Sequence, residues 1–73
     1  MSISKEQQNI IDNLRIPIKS FRIFALEEVI RSGGNSEILS VLEEIRATED
    51  DAECLMLIAH AINAVKSKLV ASH

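Results

Sequence analysis

Apolar residues recur at helical spacing in four stretches of this 73-residue chain. In the first, Ile3, Gln7, Ile10, Ile11 and Leu14 define the inner face of a helix expected over about residues 5–15. Ser4 is placed to cap it, and Gln7 completes a capping box. In the second, Ile18, Phe21, Ala25, Leu26, Val29 and Ile30 lie three and four residues apart, which predicts an amphipathic helix from Pro17 to Arg31 or Ser32. Proline disfavours helix in the residue before it and suits the first helical position, while Gly33-Gly34 supplies a left-handed stop. A third helix is expected from Ser36 to Arg46, capped by Asn35 or Ser36. Ile38, Leu39, Val41, Leu42 and Ile45 turn inward, and Glu43 and Glu44 outward. The three-residue link before it predicts that helices two and three pack together as an antiparallel hairpin. Thr48 and Asp51 form a second capping box, opening a long helix from about Glu49 to Leu69 with the residues from Val70 frayed.

The four stretches are related to one another. The run Phe21–Val29 recurs 36 residues later as Leu57–Val65, each copy with a large apolar residue, an alanine four positions on and a valine four beyond that. Ile10–Arg15 resembles Ile38–Glu43 more weakly. Helices one and three thus look alike, as do two and four, the alternation that stacked helical hairpins require.

Helix four carries more apolar surface than one neighbour can cover. Glu49, Glu53, His60, Asn63 and Ser67 form a narrow polar stripe, and nearly everything else from Cys54 to Val65 is apolar. Such a helix is buried on several sides. It is the central core helix of a small bundle, or it is covered by a second copy of the chain, or by a further segment of a longer protein. A self-associating face predicts Leu55, Met56, Ile58, Ile62 and Val65 at the interface, and a homodimer.

Composition narrows the class. Apolar residues make up 47% of the chain, but its aromatics are two phenylalanines, so aliphatic residues and alanine must do the packing. That bias, with two glycines and one proline, indicates an all-α domain of four helices rather than a sheet. The net charge of −3 argues against nucleic acid as a partner. Six acids lie between Glu43 and Glu53 with only Arg46 among them. One cysteine forms no internal disulfide, the polar start is unlike a signal peptide, and the longest apolar run, Cys54–Ala59, is far too short for a membrane span. A soluble cytoplasmic protein is the expectation.

No constellation indicates catalysis, a metal or a cofactor. Cys54 has no cationic neighbour to activate it and reads as an inert buried thiol. Glu53 and His60 share the polar stripe, but two helical turns set them about 10 Å apart. The acids Glu49, Asp50, Asp51 and Glu53 lack the alternating ligands and central glycine of a calcium loop and read as helix-start residues. A helix-turn-helix reading fails because Glu37, Glu43 and Glu44 on the second helix would repel DNA.

The chain resembles the HEAT-repeat superfamily over about residues 17–65. Phe21-Arg22, Ala25 and Val29 match the pattern of the family's first helix, with Glu28 where a second alanine is usual. Ala61, Ala64 and Val65 match again, with Ile58 in place of the arginine. Gly34, Asn35, Ile38, Leu39 and Leu42 follow the family's turn and second helix. The resemblance implies two hairpins stacked in HEAT-like fashion and a non-catalytic module for protein–protein interaction. An irregular four-helix bundle is the alternative fold. The alternative function is a small regulatory or accessory subunit whose groove receives a peptide or helix of another protein.

Overall fold

The computed structural model describes residues 5–71, so Ile3 and Ser4, expected to open the first helix, lie outside the described residues. The protein is all-α. Helices α1 (Lys5–Leu14), α2 (Lys19–Ser32), α3 (Ser36–Thr48) and α4 (Ala52–Ala71) follow in order, with no strand among the described residues.

Local chemistry sets the helix boundaries. Asn35 Oδ1 accepts from the Ile38 N–H at 2.9 Å and caps α3. The start of α4 differs from expectation. Asp51 caps it, its Oδ2 accepting from the Cys54 N–H at 2.9 Å. Thr48 instead ends α3, its Oγ1 donating to the Ile45 carbonyl at 3.3 Å. Aspartate is the better cap of the two, and its charge suits the helix start. Pro17 also stays outside its helix. The turn that ends α1 uses Arg15 and Ile16, leaving Ile18 extended as the N-cap of α2 without a side-chain cap.

The helices meet in four pairs: α1 with α2, α3 with α4, α1 with α3, and α2 with α4. The expected packing of α2 on α3 is absent, although only Gly33, Gly34 and Asn35 separate them. Gly33 is the reason. Its φ of 79° and ψ of −167° lie in a region open essentially to glycine alone, so the chain leaves α2 sideways and α4 takes the place beside it. The Gly33 N–H still closes the helix on the Val29 carbonyl at 2.7 Å.

Paired helices of the same kind run in the same direction. Lys19 at the start of α2 reaches Asp51 and Glu53 at the start of α4, at 3.1 and 3.2 Å. At the other end Lys68 Nζ donates to the Ser32 carbonyl at 3.4 Å, across a separation of 36 residues. That separation equals the period of the sequence repeat. The matched residues Ala25 and Ala61, Leu26 and Ile62, Val29 and Val65 are all buried. The internal likeness is therefore a spatial register between α2 and α4.

Ile11 and Leu14 from α1, and Ile38, Val41 and Leu42 from α3, complete the same core. The radius of gyration of 11.4 Å is close to the ~11 Å of a compact chain of this length, so one copy closes the core.

Gly33→Ala tests the turn. A Cβ there would lie 2.9 Å from Lys68 Cδ and would hold alanine at positive φ. The expected loss is at least about 1 kcal/mol in urea denaturation; an unchanged midpoint would contradict the turn geometry.

Candidate functional site

Two surfaces outside the apolar core carry chemistry that the sequence left open: a polar cluster at the shared start of α2 and α4, and an apolar strip on α2. The cluster has a buried centre. Glu49, only 7% exposed in its side chain, receives Arg22 Nη2 at 3.3 Å and the Asp51 N–H at 3.2 Å. Arg22 is itself 20% exposed, and its Nε is buried without a hydrogen-bond partner. Around this pair lie Lys19, Asp51, Glu53 and the thiol of Cys54.

The electrostatics of the cluster are those of a clamp. The Cys54 N–H, and then the Lys19 ammonium, hold Asp51 below its ordinary 3.8. Hydrogen bonds to Asp51 and then Glu53 raise Lys19 above its ordinary 10.5. Burial pushes the Cys54 thiol above 9.0, against the opposite pull of Arg22. A thiol so placed is a poor nucleophile. The acids read in sequence as helix-start residues thus divide their work: Asp51 caps, Glu49 anchors Arg22, and Glu53 joins Asp51 on Lys19. Among the described residues no group of three or more His, Cys, Asp or Glu side chains is placed to hold a metal ion. His60 is exposed on the polar stripe of α4.

The residues expected at a self-association face are divided by the fold. Ile58, Ile62 and Val65 are at most 4% exposed and belong to the core of the single chain. Met56 is 56% exposed, and Leu55 is half-buried. The physical reason is that α4 lies against both α2 and α3, so its surplus apolar surface is covered from two sides. No helix among the described residues is long and apolar enough to cross a membrane.

Besides Met56 and Val70 on α4, the exposed large apolar residues lie on α2 and at its N-cap. Phe21, expected on the inner face, is 49% exposed, Phe24 63% and Ile18 53%. Both aromatic residues of the chain therefore stand outside the core. Sequence spacing gave no warning for Phe24. Phe21 and Phe24 border a shallow recess with Asn13 and Ser20. Phe24 and Asn13 also border a second recess, with Ile10 and Glu28 among its walls, along the seam of α1 and α2. The two recesses share Asn13 and Phe24.

No family model matches the chain, and neither a curated protein nor a solved structure matches it.

Three outcomes follow for this end of the molecule. Ile58→Glu buries an unpaired charge and unfolds the domain by circular dichroism, whereas Met56→Glu keeps the fold; a folded Ile58→Glu protein would contradict the core assignment. Arg22→Met leaves Glu49 enclosed without its cation and costs about 2–3 kcal/mol, below the full value for a wholly buried pair. Asp51 contributes a pH dependence of defined sign. Folding lowers its pKa, so its stabilisation is complete above 3.8 and is lost as the pH falls through the lowered value. Asp51→Asn retains a capping oxygen and flattens the acid limb of a Tm-versus-pH curve; an unchanged acid limb would contradict the clamp.

Proposed function

We propose that the protein is a non-catalytic protein–protein interaction module of HEAT-like design, which docks through the outer face of α2. One observation carries this reading: the core closes without Phe21 and Phe24, the only aromatic side chains in the chain, and leaves them together in the open. Aromatic residues are enriched at the centres of protein interfaces, because a rigid ring buries much area at small entropic cost. Contiguous exposed apolar surface marks docking sites on soluble proteins.

The HEAT-like part of the proposal rests on the 36-residue register and on the pairing of α1 with α3 and α2 with α4. The non-catalytic part is supported by the enclosed, raised thiol of Cys54 and by the commitment of Glu49, Asp51 and Glu53 to ion pairs. A single enclosed thiol fits a reducing compartment, and we take the cytoplasm as its setting. The net charge of −3 favours a protein partner over nucleic acid.

A second reading has an observation of its own. The recess between α1 and α2, walled by Ile10, Asn13 and Phe24, lies where a groove for a peptide or helix of another protein would run. In that case the chain is a small accessory subunit, and the same two phenylalanines are its anchors.

The reading is tested by replacing both rings. The double variant Phe21→Ser, Phe24→Ser is expected to keep the helical spectrum and to change Tm by no more than about 2 °C, as exposed positions do. A loss of 10 °C or more would show that the rings hold the fold together, and would remove the reason for assigning them to docking.

A further inference from the structure

We draw no further inference here: the strongest candidate, the apolar face of α2 that bears Phe21 and Phe24, belongs to the docking surface already described, and nothing in the structure shows what covers it.

Discussion

The contact between α2 and α4 is the constraint on which the rest of the fold depends. It is the most extensive of the four helix contacts, and it is built from two matched sets: Ala25, Leu26 and Val29 against Ala61, Ile62 and Val65. An alanine in each set keeps the facing surfaces shallow, and the larger residues beside it fill the flanks. Once α2 has committed that side to α4, the side bearing Phe21 and Phe24 turns outward. Once α4 has α2 on one side and α3 on the other, Ile58, Ile62 and Val65 are enclosed, while Met56 stays exposed. One packing decision thus fixes both the closed core and the open strip.

Polar groups hold the register of that contact at each end. Lys19 binds Asp51 and Glu53 where the two helices begin, and Lys68 meets the Ser32 carbonyl where α2 ends. Exposed ion pairs of the first kind contribute little to stability, so their effect lies in choosing one alignment among several. The Arg22–Glu49 pair differs because Glu49 is enclosed. Its value is not a large net gain but the penalty that follows when either partner is missing, which ties the turn before α4 to the body of α2.

Much of the helix layout is legible in the sequence, because apolar spacing and the glycine, proline and asparagine punctuation act locally. The inward residues of α3 and the capping role of Asn35 follow from such local rules. The period of 36 residues also translates directly into the parallel alignment of α2 and α4. What spacing cannot decide is which of two apolar arcs faces inward. On α2, Phe21 and Phe24 form one arc and Ala25, Leu26 and Val29 another, and size alone favours the phenylalanines as core. The alanine is the better guide, since a small residue repeated at the same place in α2 and α4 marks a close contact. Ile58, Ile62 and Val65 mislead for a related reason: an apolar helix announces that it is covered, but not by what. The Arg22–Glu49 pair spans 27 residues and is invisible to any local reading, and the rule that short links join packed neighbours fails where Gly33 redirects the chain.

The central claim is a partition: the phenylalanine rings lie outside the closed core and the isoleucines of α4 lie within it. Relaxation of side-chain protons by a soluble gadolinium chelate measures this partition directly in dilute protein. The account predicts strong enhancement at the rings of Phe21 and Phe24 and little at the methyls of Ile58 and Ile62. Rings shielded at every dilution, or isoleucine methyls open to the probe, would contradict it.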